Sequence, residues 1–185
     1  LQTQEVAGKR LLIVGLGRIG RKLADLARAF GMQVWAHDPF LPADQWPAAV
    51  TRADDLTAAL GQVDAVSLHL PRTDRAVLGA AELALMRPTA VVVNTARGGL
   101  VDEDALADAL RANRLGGAGI DVFAVEPPGS DHPLFGVDRA ILTPHNAALT
   151  VECAERMAIA SVRNVLDFFA GTLDPALIVN KDQIG

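Results

Sequence analysis

A glycine-rich turn near the start of the chain has the spacing Gly-x-Gly-x-x-Gly, with its glycines at Gly15, Gly17 and Gly20. The apolar run 11–14 precedes this turn, and the amphipathic segment 21–30 follows it. In a strand, turn and helix of this kind, the glycines let the backbone approach the pyrophosphate of a dinucleotide. N–H groups at the helix start then bind the anion. Glycine-rich turns are common, so the strand before and the helix after carry most of this prediction.

An acid stands at the end of the next predicted strand and bears on the choice of cofactor. Asp38 closes the run 33–38 and follows Gly20 at close to the spacing of about 20 residues expected for the acid that binds the adenosine ribose. Pro39 and Phe40 come next, so no adjacent Arg or Lys is present to bind a 2′-phosphate. A carboxylate there would repel that phosphate, which favours NAD over NADP. The alternative is an ordinary strand–turn–helix followed by an exposed acid.

Other polar residues follow the later strands of the predicted sheet. Ligands of open parallel sheets bind beyond the carboxyl ends of the strands. The segments at those ends are 94–97, 121–126 and 143–145. Topology alone therefore predicts that an arginine, two acids and a histidine surround one crevice, namely Arg97, Asp121, Glu126 and His145.

The elements that position these residues alternate between short apolar runs and helical patterns. Strands are predicted at 11–14, 33–38, 64–70, 90–94, 116–122 and 139–143, and helices at 21–30, 54–60, 82–86, 102–113 and 150–171. This alternation predicts an α/β fold of the Rossmann type, a doubly wound parallel sheet with helices on both faces. In the first helix the large apolar residues share one face, which we expect to pack on the sheet. They are Ile19, Leu23, Leu26 and Phe30.

Composition limits the classes of protein to which the chain can belong. Its 185 residues suit one domain of ordinary size, which we place at 1–172 with a tail at 173–185. A net charge of −5 argues against nucleic-acid binding, and a single cysteine excludes an internal disulfide framework. No run reaches the roughly 18 apolar residues of a membrane helix, so we expect no membrane association and a cytoplasmic location.

Seven segments give the chain a resemblance to one family. They are GLGRIG (15–20), HDP (37–39), HLPRTDRA (69–76), VNTARGGLVDEDAL (93–106), GIDVFAVEPP (119–128), HPLF (132–135) and TPH (143–145). Together they resemble the NAD-binding domain of the D-isomer-specific 2-hydroxyacid dehydrogenases, from about residue 8 to residue 180. The resemblance implies hydride transfer that interconverts a 2-oxo acid and a D-2-hydroxy acid with NAD, in a homodimer.

The same resemblance assigns roles to individual residues. Arg97 is expected to bind the substrate carboxylate or carbonyl through its guanidinium. His145 would be the general acid and base, since its reference pKa near 6.5 suits both directions. Glu126 would orient the imidazole and favour its protonated form. Asp121 would accept from the nicotinamide carboxamide, and a buried acid with no partner would need such a ligand.

The remaining expected contacts are to the cofactor, and no histidine or cysteine cluster has the spacing of a metal site. The expected cofactor-binding residues are Gly15, Gly17, Arg18, Ile19, Gly20, Asp38, Leu70, Pro71, Thr95, Ala96, Asp121 and His145. Arg18 is expected to contribute mainly through its backbone N–H.

Two alternatives stay open under the resemblance, and one segment of the family is missing. One alternative is a phosphonate- or formate-type dehydrogenase. Formate enzymes typically pair their histidine with an amide, so Glu126 argues against the formate type. An NAD-sensing interaction module, as in related corepressors, is also compatible. The substrate domain that family members build largely from residues ahead of this domain is absent, so we expect this chain to bind NAD but to turn over poorly.

Overall fold

Seven parallel strands form a single sheet in the computed structural model, which describes residues 4–180; positions 181–185 of the predicted tail lie outside the described residues. The strands are β1 (Arg10–Val14), β2 (Gln33–His37), β3 (Thr51–Arg52), β4 (Ala65–Leu68), β5 (Val91–Asn94), β6 (Gly117–Ile120) and β7 (Ala140–Leu142). Their order is β3-β2-β1-β4-β5-β6-β7. The order reverses between β1 and β4, which is where a doubly wound sheet opens its ligand crevice. The predicted fold class is therefore confirmed.

Five α-helices connect or follow these strands. They are α1 (Arg18–Ala29), α2 (Leu56–Leu60), α3 (Ala80–Leu85), α4 (Glu103–Arg111) and α5 (Val151–Ala170), with short 3₁₀ helices at Ala43–Gln45 and Pro175–Leu177. The side chains of Asp55, Asp102 and Thr150 accept backbone N–H bonds at the starts of α2, α4 and α5. Gly171 ends α5 in the left-handed conformation, which glycine adopts readily.

The core lies on both faces of the sheet. Leu12 and Val14 of β1 belong to one buried apolar cluster, while the alternate residues Leu11 and Ile13 belong to another. Successive side chains of a strand point to opposite faces, so β1 is covered on both sides. This explains why its sequence is continuously apolar and places the glycine turn at the edge of a rigid sheet.

Helix α1 packs on the sheet mainly through small residues, and the prediction that its large apolar face points inward is confirmed for Leu23 but wrong for Ile19, Leu26 and Phe30. Its buried residues are Gly20, Ala24 and Ala27, whereas Ile19 and Leu26 are 70% and 61% exposed. The cause is a close approach: a Cβ placed on Gly20 would lie 2.2 Å from the carbonyl oxygen of Gly15. A helix held so near the turn packs on the sheet mainly through small residues, although Leu23 also packs against the buried cluster.

The chain divides into two compact units, Leu1–His145 and Asn146–Gly185. The first contains the whole sheet and α1 to α4, and the second contains α5, none of whose residues is buried. Among the described residues, no helix has both the length and the apolarity needed to cross a membrane.

Candidate active site

The glycine turn leaves open space where a pyrophosphate would lie. Gly15 has a φ of +94°, and a Cβ there would lie 2.4 Å from the His69 carbonyl oxygen, so only glycine fits. Beside Gly17, in contrast, an added Cβ would meet nothing within 4 Å. Gly17 begins α1 without a side-chain cap, and the first turn contains no acid. The helix start is therefore available to an anion.

Asp38 is bonded to the glycine turn. Its Oδ2 accepts from the Leu16 N–H at 2.9 Å, and its Oδ1 accepts from the Phe40 N–H at 3.1 Å. An ionised carboxylate has about four acceptor sites, so two backbone bonds leave capacity for ribose hydroxyls. The half-buried carboxylate thus fixes the shape of the turn and places negative charge beside it. Its role as a ribose ligand stays a prediction.

The end of β5 is shaped by an amide that sequence reasoning did not single out. Asn94 is 2% exposed, and its Nδ2 donates to the Arg97 carbonyl oxygen at 2.9 Å. Its Oδ1 accepts from the Ala96 N–H at 3.1 Å. These two bonds fold the backbone of 94–97 into a fixed turn and so position both Arg97 and the exposed Thr95. An asparagine at a strand end with an arginine three residues later was the available signal.

The ends of β4 and β1 lie together at the reversal of strand order. A Cβ on Gly15 would lie 2.8 Å from the Leu70 side chain. Leu70 is half-buried and Pro71 is exposed. The predicted cofactor residues of these two loops are therefore neighbours in the crevice where dinucleotides bind.

Glu126 and His145 form a hydrogen-bonded pair. His145 Nδ1 lies 2.8 Å from Glu126 Oε2, and Glu126 Oε1 accepts from the Phe123 N–H at 2.9 Å. The bond from His145, followed by the bond from Phe123, holds the pKa of Glu126 below its ordinary value. An ionised carboxylate only accepts, so Nδ1 carries a proton and Nε2 is the nitrogen that can exchange one. Nε2 of His145 makes no hydrogen bond within the described part of the chain.

The backbone of His145 has an uncommon conformation. Its φ is +52°, in the left-handed region that residues other than glycine seldom adopt. Its N–H donates to the Asp121 carbonyl oxygen at 2.8 Å, and the Thr143 N–H donates to Ile120 at 3.0 Å. The bonds to β6 thus fix the turn that brings His145 back towards Glu126. Strained positions of this kind cluster at functional sites.

Asp121 differs from the expectation in one respect. It is 3% exposed, as a buried strand-end acid should be, but the Thr143 hydroxyl donates to its Oδ1. Burial therefore does not leave Asp121 without a protein partner. A hydroxyl one strand away satisfies part of its hydrogen-bonding capacity. Its contact with the nicotinamide stays a prediction that rests on the resemblance.

A small polar cavity of about 170 Å³ brings the predicted catalytic residues together. Its lining residues are Arg72, Arg97, Gly98, Phe123, Ala124, Glu126 and His145. Asp121 is not among them. Glu126 and His145 also line a larger cavity of about 550 Å³ whose other walls are mainly apolar, including Pro127, Phe135 and Leu142.

Arg72 is a residue of this cavity that sequence reasoning missed. It is exposed and makes no hydrogen bond or ion pair with any residue between 4 and 180. Arg97 Nη1 donates to the Ala96 carbonyl oxygen, and no ion pair involves Arg97 in the described chain. The cavity therefore has two guanidinium groups that no carboxylate neutralises. The available signal was a cation directly after a strand end, in the segment 69–76.

A second glutamate–histidine pair supports the segment that carries Glu126. Glu103, the first residue of α4, accepts from the Ala124 N–H at 2.7 Å through Oε1. Its Oε2 lies 2.9 Å from Nε2 of His132, whose ring meets Phe123 edge-on at 5.1 Å between centroids. The segment 123–126 is thus held by α4 and by the loop at His132.

The two other histidines are bonded away from the cavity. His37 Nδ1 lies 2.8 Å from the Ala53 carbonyl oxygen, and His69 Nε2 lies 2.9 Å from Ser67 Oγ. Burial lowers the pKa of His69, which favours its neutral form. No group of three or more His, Cys, Asp or Glu side chains suited to a metal ion occurs in the described ranges.

Comparison with known proteins identifies the family of the chain. Residues 1–147 match the family described as D-isomer specific 2-hydroxyacid dehydrogenase, NAD binding domain. The chain is 48% identical over 169 residues to (S)-sulfolactate dehydrogenase of Chromohalobacter salexigens, covering 89% of this chain and 54% of that protein. It is 39% identical over 182 residues to glyoxylate reductase of Aeropyrum pernix, covering 97% and 54%.

A solved structure shows the same arrangement of elements. The D-lactate dehydrogenase of Aquifex aeolicus, complexed with NAD and lactic acid, superposes with a TM-score of 0.81 at 30% identity. The match covers 92% of this chain and 56% of that one, so the chain spans about half the length of the proteins it resembles. The chain belongs to the D-isomer specific 2-hydroxyacid dehydrogenase family and contains its NAD-binding domain.

Proposed function

We propose that this chain is the cofactor-binding part of an NAD-dependent oxidoreductase that interconverts a 2-oxo acid and a D-2-hydroxy acid. The observation that carries the proposal is the Glu126–His145 pair at 2.8 Å, which shares a cavity with Arg97. The Nε2 atom of His145 bonds to no residue from 4 to 180. This arrangement combines a proton donor, a group that orients it and a cation for the substrate oxygen. When bound, the nicotinamide supplies or takes up the hydride.

Each residue then has a defined task. In reduction, the imidazolium of His145 gives its Nε2 proton to the carbonyl oxygen, and in oxidation the neutral imidazole takes it back. Glu126 holds Nδ1 and stabilises the positive charge of the ring. The Arg97 guanidinium binds the carboxylate or polarises the carbonyl. Because formate enzymes typically pair their histidine with an amide, Glu126 also argues against a formate-type site.

The choice of NAD rests on the turn and on Asp38. The space beside Gly17 admits a pyrophosphate, and the Asp38 carboxylate beside Leu16 repels a 2′-phosphate. The substrate class is supported by the relatives, whose names specify sulfolactate and glyoxylate. The proposal also includes a homodimer and a cytoplasmic location, which the family resemblance supports. Light scattering that shows a monomer at high concentration would contradict the dimer.

The experiment measures cofactor binding and hydride transfer separately. We expect the purified chain to bind NADH more tightly than NADPH by calorimetry, and Asp38→Ala to reduce this preference because the repelling charge is gone. With NADH and a panel of 2-oxo acids, we expect slow oxidation of NADH that Arg97→Met abolishes. Arg28→Met, on the outer surface of α1, is the control that should change neither quantity.

Two results would contradict the proposal. The first is absence of NADH binding by the folded chain. The second is NADH oxidation that proceeds equally well with Arg97→Met. Rapid turnover by the unmodified chain would instead contradict only the expectation that this chain turns over poorly.

A further inference from the structure

Two arginines line the cavity, although the proposed reaction requires only one of them. A 2-oxo acid with a single carboxylate is bound by one guanidinium, which can take both carboxylate oxygens. Arg97 fills that place in the proposed function. Arg72 lines the same cavity with no protein partner among residues 4–180, so its positive charge is available to a ligand.

The charges around the cavity favour a ligand with two negative groups. Arg72 and Arg97 contribute two positive charges, and Glu126 contributes one negative charge that is already engaged by His145. Like charges around one concave site repel each other and concentrate anions there. A monoanion would leave one guanidinium without a counterion, whereas a dianion would pair with both.

The size of the cavity limits what carries the second charge. Its volume is about 170 Å³, against about 550 Å³ for the neighbouring apolar cavity. A three-carbon acid with one compact anionic substituent fits this space. The second anionic group therefore belongs on C3, next to the reacting carbon.

We propose that Arg72 is a specificity-determining residue that binds a second anionic group on C3 of the 2-oxo or 2-hydroxy acid. The inference rests on the proposed function, because it assigns the substrate class of that same site. Sulfonate, phosphate ester and carboxylate share the chemistry that a guanidinium recognises. The experiment distinguishes among them.

The test measures binding, since binding does not require turnover by the chain. The chain is saturated with NADH and titrated by calorimetry at constant ionic strength with 2-hydroxy acids, which cannot react with the reduced cofactor. The ligands are D-lactate and its C3-sulfonate, C3-phosphate and C3-carboxylate analogues. We expect at least one of the three acids with two anionic groups, here termed dianionic, to bind about tenfold or more tightly than lactate.

Three variants locate the effect at one side chain. Arg72→Met keeps the length and removes the charge, and should weaken the preferred dianion by about tenfold to a hundredfold while lactate changes less than about twofold. Arg72→Lys should restore part of the affinity, since an ammonium keeps the charge but loses the fork. Arg75→Met, in the same exposed loop but outside the cavity, should change neither.

The outcomes separate this inference from the proposed function. If NADH and lactate bind normally but no dianion is preferred, or if Arg72→Met weakens lactate and the dianions equally, the assignment of Arg72 is wrong and the proposed function stands. If Arg72→Met weakens NADH instead, Arg72 is a cofactor ligand and the inference is again wrong. If the folded chain binds no NADH, both fail.

Discussion

Two glutamate–histidine pairs contact the same short segment, 123–126, yet differ in their access to solvent. In the Glu103–His132 pair the side chains are 13% and 10% exposed, and the two groups lie 2.9 Å apart. In the Glu126–His145 pair they are 38% and 51% exposed, at 2.8 Å. The chemical groups and distances are nearly the same, so the surroundings must decide what each pair can do.

The difference lies in the second nitrogen of each ring. His132 Nδ1 accepts from the Leu134 N–H at 3.3 Å while its Nε2 donates to Glu103, so both nitrogens are engaged within the protein. His145 uses only Nδ1, and its ring lines two cavities. A histidine can transfer protons to a ligand only where one nitrogen meets the ligand. By this criterion His132 is structural and His145 is the chemical residue.

The two carboxylates repeat one pattern on adjacent backbone groups. Glu126 joins an imidazole to the Phe123 N–H, and Glu103 joins an imidazole to the Ala124 N–H. The buried pair therefore fixes the backbone to which the exposed pair is anchored. We infer that Glu103 and His132 act on the proposed reaction through position, by holding the turn that places Glu126.

The largest effect on turnover should come from replacing His145 by a residue that cannot transfer protons. His145→Asn should reduce NADH-dependent turnover by about a hundredfold or more, because proton transfer at the carbonyl oxygen is lost. Asparagine tolerates the left-handed φ of this position, so the fold should be kept. Single-turnover oxidation of NADH with a 2-oxo acid measures the change.

His132→Gln is the matched variant for this comparison. An amide can still donate to Glu103, so most of the turnover should remain when it is corrected for the folded fraction. Equal losses of turnover in the two variants, with both proteins folded, would remove the distinction between a structural and a chemical histidine.

The next prediction concerns stability. Here the larger loss should come from the Glu103–His132 pair and the smaller one from the Glu126–His145 pair. Glu103→Ala should lower the free energy of unfolding by about 2–3 kcal/mol, because the half-buried Ala124 N–H and the His132 ring lose their common acceptor. Glu126→Ala should cost much less, since the exposed pair exchanges its bonds with water. Urea unfolding followed by circular dichroism measures both values.

Glu103→Gln is the control for the shape of the side chain. Its amide oxygen can still accept from Ala124, so its loss of stability should be smaller than that of Glu103→Ala. If Glu126→Ala destabilises the chain as much as Glu103→Ala, the contrast in burial does not govern the two pairs.

The sequence was sufficient to predict features set by neighbouring residues. The alternation of apolar runs and helical patterns predicts the sheet, and the glycine spacing predicts the turn at Gly15, because both depend on local geometry. The pairing of Glu126 with His145 followed only with the family resemblance. Strand β3 was missed because two exposed residues, Thr51 and Arg52, contain too little pattern to detect.

The remaining features depend on contacts between distant parts of the chain. The predicted packing face of α1 was wrong for Ile19 and Leu26. These large residues dominate the helical pattern, but the close approach of Gly20 to Gly15 decides which residues pack on the sheet. Glu103 and His132 are separated by a strand and a loop, and no spacing marks them as partners. The cavity position of Arg72 likewise depends on how its loop lies against the end of β5 and the segment 123–126.

The smallest effect should appear in the titration of Glu126 itself. The bond from His145 is the main reason why the pKa of Glu126 is below its ordinary value of 4.5, and the bond from the Phe123 N–H comes second. His145→Gly, which removes the ring at a position whose left-handed φ glycine tolerates, should therefore raise the pKa of Glu126 towards 4.5, while His132→Gln should leave it lowered. Carbon-13 NMR of the side-chain carboxyl measures this pKa directly.

The direction of the pH dependence of stability follows from the same lowered pKa. A carboxyl with a folded-state pKa below its unfolded value contributes fully above that unfolded value, and the contribution is lost as the pH falls through the folded-state pKa. The difference in melting temperature between the unmodified chain and Glu126→Gln should thus be constant from neutral pH down to about 4.5 and shrink below it. In the His145→Gly background the difference should be smaller throughout, because the bond that lowers the pKa is absent. An unchanged difference in that background would mean that Glu126 is held by the backbone of the segment 123–126 alone, and that the exposed pair is no more than a contact between two solvated side chains.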